Sequence, residues 1–212
     1  MRRTIVLILI IALSISMLAG CDSKSTEIVK PLEIGRGEVV DGIYTNKDMG
    51  ISIEVPEGYH IATEEELETS FDITHLLEDE DMVSYITYLA FFSLKPIDDA
   101  ENNSHIMISV EDASKYGYSD KDTYIEYMAY EKSSAYQSIE GAEVTVSNHK
   151  NVWLSNRKFA YRSITLDMND LYMVFDMYGV IKNGYFLTIM IGAFSNEDLD
   201  FLRGYLDTFV IE

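Results

Sequence analysis

Cys21, the one cysteine of this chain, is the residue whose surroundings point most clearly to a chemical reaction. A redox-active thiol needs a partner cysteine or an environment that activates it. The chain has no second cysteine, and Leu18, Ala19 and Gly20 stand directly before Cys21. Without a partner cysteine, a redox role is disfavoured. The role of Cys21 is therefore inferred from the segment that precedes it.

That segment has the parts of an export signal. It begins with two arginines and continues as an apolar run from Ile5 to Met17, followed by small residues. The run is shorter than the roughly 20 apolar residues that cross a bilayer. Leu18-Ala19-Gly20-Cys21 resembles the lipobox of bacterial lipoproteins, in which the cysteine receives a diacylglycerol and becomes the mature N-terminus. The resemblance implies that residues 1–20 are a signal peptide. It also implies that lipid on Cys21 anchors the protein to the extracytoplasmic side of the cell membrane.

Other side chains that act in catalysis or bind metals show no such pattern. The sequence has no serine-hydrolase elbow and no nucleotide-binding loop. No histidine has another three or four residues away, as a helical zinc site requires; the four are His60, His75, His105 and His149. Two acidic runs, 64–68 and 78–81, offer oxygen ligands for calcium but lack the EF-hand spacing. The first is typical of a helix N-terminus and the second of a solvated loop, and calcium binding stays open. We therefore predict no catalytic residue, no cofactor and no metal site.

Tyrosines are frequent, 15 in all, and they crowd the stretch from residue 116 to residue 136. A tyrosine supplies rigid contact area with a polar tip, which suits binding of a protein or a glycan. Tyrosines also cover the edge of a core with their hydroxyl groups in water. In a helix, residue 127 lies three positions from both 124 and 130, so these neighbours can form one strip. The candidate partner surface is Tyr118, Tyr124, Tyr127 and Tyr130.

The charge of the chain excludes some partners. It has 36 acidic and 16 basic residues, a net charge of −20. Removal of residues 1–20 takes two arginines and no acid, which leaves −22. Nucleic acid is not an expected partner, because binding it requires basic surface. Anionic lipid should repel the domain as well, so membrane attachment must come from the acyl chains.

The remaining composition predicts one folded domain. An apolar fraction of 47%, with 12% aromatics, is ample for a core without disulfides. Residues 21–38 are polar and have no clear period, so we expect a flexible tether. Residues 39–212 should form a single monomeric domain.

Periodicity and turn residues predict its elements. Strands are expected at 42–46 and 50–55 (a hairpin), 85–95, 106–110, 142–147, 152–154, 158–167, 171–181 and 185–194, and helices at 64–70, 73–80, 120–138 and 197–209. Strands 171–181 and 185–194 are apolar on both faces, so both faces must be covered. We predict an α+β fold in which helices cover both faces of an antiparallel sheet, an α/β/α sandwich.

This organisation resembles the PsbP/Mog1-like fold family. The resemblance rests on Tyr44-x-Asn46, Gly50-Ile51, Pro56-x-Gly58-Tyr59 and the closing meander followed by a helix. Members of that family are typically accessory or binding proteins without universal catalytic residues. The resemblance therefore implies a protein that is not an enzyme.

Together these observations predict a lipid-anchored binding or accessory protein of the bacterial cell envelope, with an unknown envelope protein or glycan as partner. Two alternatives stay open. One is an envelope hydrolase whose carboxylates are assembled in space, and the other is a receptor for a small ligand.

Overall fold

The computed structural model describes residues 34–71, 86–96, 103–113, 120–168 and 171–212. Cys21, Tyr118 and the predicted helix at 73–80 lie outside these residues. The described part is an α+β fold in which every strand pairing is antiparallel. Among the described residues, no helix is both long enough and apolar enough to cross a bilayer.

The strands form two sheets. The small sheet has the order β1 (Glu38–Val40), β2 (Ile43–Asn46), β3 (Ile51–Glu54) and β12 (Val210–Ile211). The large sheet has the order β4 (His60–Ile61), β5 (Ile86–Ser93), β6 (His105–Asp112), β11 (Tyr185–Ala193), β10 (Leu171–Lys182), β9 (Arg157–Met168) and β7 (Glu143–Val146), and β8 (Lys150–Leu154) also pairs with β9. The described helices are α1 (Glu64–Phe71), α2 (Lys121–Gln137) and α3 (Asn196–Tyr205).

Each face of the large sheet has its own apolar core, because successive residues of a strand point to opposite faces. On one face, Ile108 and Ile189 pack with Leu202 of α3 and with the small sheet; this is the α3-side core. On the other face, Met177 and Phe186 pack with α2; this is the α2-side core. Helices alone do not cover both faces, since the small sheet shares one face with α3. The predicted α/β/α sandwich is therefore not confirmed, whereas the antiparallel α+β class is.

The closing meander forms as predicted, and its last turn shows why. Asn183 and Gly184 have φ angles of 53° and 85°, which the tight turn of a two-residue hairpin requires. Lys182 and Tyr185 pair directly across this turn. The turn fixes the register that sends alternate residues of β10 and β11 into the two cores.

Side-chain caps begin the helices where the sequence predicts them. The Thr63 hydroxyl accepts the Glu66 N–H (3.2 Å) and a Glu66 carboxylate oxygen accepts the Thr63 N–H (2.7 Å), the reciprocal pattern of a capping box. Asp120 accepts the Thr123 N–H at α2, and Ser195 accepts the Asp198 N–H at α3. The first acidic run thus serves a helix start, and the second lies outside the described residues.

The chain ends differ from the prediction. The helix expected at 197–209 stops at Tyr205, followed by a 3-10 turn, Leu206–Thr208, and by β12. Burial of Phe209 and pairing of Ile211 with Ile51 hold this end extended. At the other end, the Gly35 N–H donates to Asp48 (2.8 Å) and Glu38 begins β1. Residues 34–38, assigned to the tether by their composition, thus already contact the domain.

Candidate functional site

The tyrosines predicted as a partner surface separate in the structure. Tyr124 is fully buried, so its assignment to a surface is wrong. Tyr127 is half-buried, whereas 68% of Tyr130 is exposed. Tyr118 lies outside the described residues. The strip is thus reduced to Tyr127 and Tyr130 on the outer side of α2, where partner binding stays a prediction.

Tyr124 is buried because its ring and its hydroxyl group both have partners in the sheet. The ring stacks on Phe186 with centroids 4.0 Å apart and planes inclined by 4°. The hydroxyl donates to a carboxylate oxygen of Glu111 at 2.5 Å and lies 3.4 Å from the hydroxyl of Thr188. A hydrogen bond to a carboxylate is stronger than one between neutral groups. Tyr124 therefore fixes the first part of α2 to β6 and β11.

Two further contacts hold α2 close to the sheet. Gly179 of β10 leaves room for Ile125, since a Cβ there would lie 2.5 Å from two of its carbon atoms. Near the other end of α2, Tyr136 stacks on Phe175 with centroids 5.5 Å apart. With its inner side held at both ends, α2 presents Tyr130 on a fixed backbone.

A polar cluster lies buried between α2 and the sheet. Glu111 is 1% exposed and Lys132 is 7% exposed. Burial lowers the pKa of Lys132 to about 8, and the negative charge of Glu111 opposes this shift. Burial and Glu111 both raise the pKa of Tyr88. Tyr88 and Thr188 lie directly across from Ser109 in the sheet, so the polar side chains continue along one face.

His105 lies at the opposite end of β6 from Glu111. Its ring stacks on Phe91 with centroids 4.8 Å apart, and its Nδ1 lies 2.9 Å from the carbonyl oxygen of Asn103. The ring also fills the space left by Gly192, where a Cβ would come within 2.4 Å of it. Burial lowers the pKa of His105 to about 4, so the imidazole is neutral at pH 7. These contacts account for the position of the His105 ring by packing.

Asp176 forms a second buried polar group on the other face of the large sheet. It is fully buried on β10 and accepts hydrogen bonds from the hydroxyls of Tyr161 (2.9 Å) and Tyr178 (3.1 Å). Nε of Arg203 donates to the same carboxylate at 2.7 Å. Arg203 belongs to α3, so this ion pair connects α3 to the large sheet.

The two buried carboxylates do not form an acid–base pair. Glu111 points into the α2-side core and Asp176 points to the α3 side, so the sheet separates them. Each accepts at least one tyrosine hydroxyl, as buried carboxylates in folded proteins usually do. Within the described residues, no three His, Cys, Asp or Glu side chains are grouped to hold a metal ion.

Trp153, the one tryptophan of the chain, is 69% exposed and is not among the residues that the sequence predicts as a partner surface. Its neighbours Val152 and Leu154 in β8 pack against the α3-side core, so Trp153 points to the opposite side of the strand. It lies across from Lys158 in the pairing of β8 with β9. The sequence contains a signal for this exposure. Trp153 stands between two aliphatic residues in a short strand, and the alternation of side chains along a strand places it on the opposite face from them.

No protein-family model and no curated protein matches the chain. Solved structures with a similar arrangement do exist, at low sequence identity. One is the cyanobacterial PsbP (CyanoP) from Synechocystis sp. PCC 6803, with a TM-score of 0.45, 10% identity, and coverage of 92% of this chain and 99% of that chain.

Two others are similar in part. LpqN of Mycobacterium tuberculosis, described as involved in cell envelope biogenesis, has a TM-score of 0.40 and 11% identity over 76% of this chain and 82% of its own. The Ran-binding protein Mog1p of Saccharomyces cerevisiae has a TM-score of 0.42 and 9% identity over 78% and 92%. The similar structures thus include a PsbP and a Mog1 protein, the two names of the fold family that the sequence resembles. With TM-scores below 0.5, they support no inference about function.

Proposed function

We propose that this protein is a lipid-anchored, extracytoplasmic binding or accessory protein of the bacterial cell envelope, and that it acts without catalysis. The anchor is the diacylglycerol that the lipobox resemblance implies on Cys21. The net charge of the chain, −20, supports this assignment, since an acidic domain needs an anchor other than basic surface to stay at an anionic membrane.

The outer side of α2 is the surface that we assign to a partner, and the exposure of Tyr130 is the observation that carries this assignment. The interface residues whose truncation weakens binding most are enriched in tyrosine, tryptophan and arginine. A side chain on a backbone that is already fixed loses less freedom when it binds. The Tyr124–Glu111 hydrogen bond and the Tyr136–Phe175 stack provide that fixed backbone.

The buried polar groups favour a binding role over catalysis. A hydrolase that uses two carboxylates needs both of them at one substrate. Glu111 and Asp176 are the buried carboxylates of the described residues, and they lie on opposite faces of the large sheet. Their partners include tyrosine hydroxyls that hold α2 and the meander in place.

Crosslinking from the native membrane tests this proposal. The tethered protein is crosslinked and recovered as the parent chain and as Tyr130→Ala, Tyr130→Phe and Val210→Ala. Val210 is a matched control, because it is 48% exposed but lies on the small sheet. We expect Tyr130→Ala to reduce recovery of the partner several-fold, since hot-spot truncations cost about 2 kcal/mol or more, while the other two variants retain it. Equal recovery by all four chains would contradict the α2 surface. A hydrolytic or transfer activity that one Asp, Glu or His substitution abolishes would contradict the absence of catalysis.

A further inference from the structure

A second exposed aromatic group lies on the other side of the large sheet, where α3 meets the turn after β3. Tyr59 and Phe201 stack with ring centroids 6.0 Å apart and planes inclined by 29°. Phe201 meets Tyr205 edge to face, with centroids 5.3 Å apart. Phe201 is 45% exposed. We call these three residues the aromatic step.

The aromatic step is held in place before any partner arrives. The Tyr59 N–H donates to the carbonyl of Pro56 (3.0 Å), and Gly58 within this turn has a φ of 77°. The Glu57 N–H donates to the hydroxyl of Tyr205 (3.0 Å). The turn is therefore bound to α3 through the same tyrosine that contacts Phe201. A surface fixed in this way loses little conformational freedom on binding.

Two carboxylates in the first turn of α3 precede Phe201, and one of them, Asp198, also accepts a hydrogen bond from the Ser104 hydroxyl (2.9 Å). Glu197 and Asp198 precede Phe201 by four and three positions, so they share its side of α3. Burial raises the pKa of Tyr59 to about 12, and the nearby charge of Asp198 adds to the shift. The basic residue of the last turn of α3, Arg203, is directed to the buried Asp176.

We propose that the aromatic step docks a cationic segment of a partner polypeptide, with a lysine or arginine side chain over the ring of Phe201. A cation is attracted to the face of an aromatic ring, and Glu57, Glu197 and Asp198 attract the neighbouring positive charges. A chain of net charge −20 also raises the encounter rate with cationic partners. An unsubstituted phenyl ring, the most exposed of the three, offers a sugar no hydrogen bond, which favours a cationic peptide over a neutral glycan.

This inference names a partner class for the proposed binding role and rests on that role, but it concerns a different surface from α2. Its test therefore uses a defined probe and depends neither on Cys21 nor on Tyr130. The full chain in neutral detergent is titrated into a fluorescein-labelled decapeptide of alternating lysine and serine. Anisotropy is followed at low salt and at about 0.15 M salt, where exposed charges are screened beyond about 8 Å.

The variants distinguish the contribution of the aromatic ring from that of the neighbouring carboxylates. Phe201→Ala and Phe201→Leu remove the aromatic face, Phe201→Tyr retains it, and Glu197→Gln removes one rim charge. Trp153→Ala is the matched control, because it removes an exposed aromatic ring on another part of the large sheet. We expect Phe201→Ala and Phe201→Leu to weaken binding about fivefold, within the range of a cation–π contact. Phe201→Tyr and Trp153→Ala should retain the parent affinity. Glu197→Gln should weaken binding at low salt and less at 0.15 M.

Three results would overturn the inference. In the first, the parent does not bind the peptide at low salt. In the second, Phe201→Leu binds as tightly as the parent, so that charge alone explains binding. In the third, a neutral chito-oligosaccharide binds in place of the peptide and loses affinity in Phe201→Ala. Since Phe201→Leu keeps the apolar volume, it remains informative if Phe201→Ala lowers the melting temperature. A loss in the Phe201 variants with unchanged membrane crosslinking would identify a separate surface and leave the α2 assignment intact.

Discussion

Two tyrosines of α2 offer a controlled test of how that helix is held. Tyr124 and Tyr136 are both buried, at 0% and 1% exposure. The Tyr124 hydroxyl donates to Glu111 at 2.5 Å. The Tyr136 hydroxyl has no hydrogen-bond partner among the described residues. Substitution by phenylalanine removes the same oxygen atom at both positions and leaves both rings stacked.

We expect opposite effects on stability. A hydrogen bond to a charged group contributes about 1.5–3 kcal/mol, so Tyr124→Phe should lower the free energy of unfolding by about 2 kcal/mol. For a domain of this size, that corresponds to a fall in Tm of about 4–8 °C. Tyr136→Phe removes a buried hydroxyl without a partner and should be neutral or stabilising by up to about 1 kcal/mol.

The assay is urea unfolding of the fragment 22–212 followed by circular dichroism. With a typical slope of about 2 kcal/mol per molar urea, the midpoint for Tyr124→Phe should fall by about 1 M with the slope unchanged. An equal loss in both variants would mean that the tyrosine hydroxyls stabilise α2 through some other effect. An unchanged midpoint for Tyr124→Phe would refute the role of the Glu111 hydrogen bond.

Three further predictions address the remaining contacts. Asp176→Asn should lower the free energy of unfolding by about 2–3 kcal/mol, because it removes the buried ion-pair partner of Arg203 and leaves that side chain only the exposed Asp200 as an ion-pair partner. Urea unfolding should also show that Arg203→Met in the same chain restores part of the loss. Gly179→Ala should lower the free energy of unfolding by about 1–3 kcal/mol, since the added Cβ would lie 2.5 Å from Ile125. In thermal unfolding, the second substitution Ile125→Val should restore part of the lost stability. No loss of stability in the single variant would contradict the close approach of Ile125 to Gly179. Between pH 8 and 10 the free energy of unfolding should rise more for the parent than for Lys132→Met, because the unfolded lysine still binds a proton that the folded one, with a pKa of about 8, has released. Parallel profiles in urea titrations at pH 8, 9 and 10 would contradict the lowered pKa of Lys132.

Local signals in the sequence predict much of this fold. The Asn183-Gly184 turn, the Thr63–Glu66 capping box and the cap at Ser195 all form as expected. Each depends on residues within a few positions of one another, where backbone preference and one or two hydrogen bonds decide the structure. The strands β10 and β11 likewise follow from a local signal, their predominantly apolar sequences.

Contacts between distant segments are what the sequence does not show. The pairing of Ile211 with Ile51 converts the expected end of a helix into a strand and completes the small sheet. That sheet then covers a face for which helices alone were expected. No local pattern marks such a pairing, because its stability comes from burial after the two segments meet.

The tyrosine strip shows the same limit at the candidate site. Spacing alone places Tyr124 and Tyr130 each three positions from Tyr127 in one helix, but it does not distinguish the side of the helix that meets the sheet. Glu111 decides this, because a buried carboxylate on β6 needs a donor and Tyr124 supplies it. Asp176, within an otherwise apolar strand, was the comparable clue on the other face.

Acyl labelling of Cys21→Ser tests the central claim, lipid anchoring, most directly. The parent chain and the variant are produced in a bacterium fed with a labelled fatty acid, and the cells are separated into membrane and soluble fractions. We predict that the parent incorporates the label and remains with the membrane. The variant should carry no label and accumulate as an unprocessed or mislocalised precursor. Equal labelling and identical fractionation of the two chains would contradict the lipoprotein assignment.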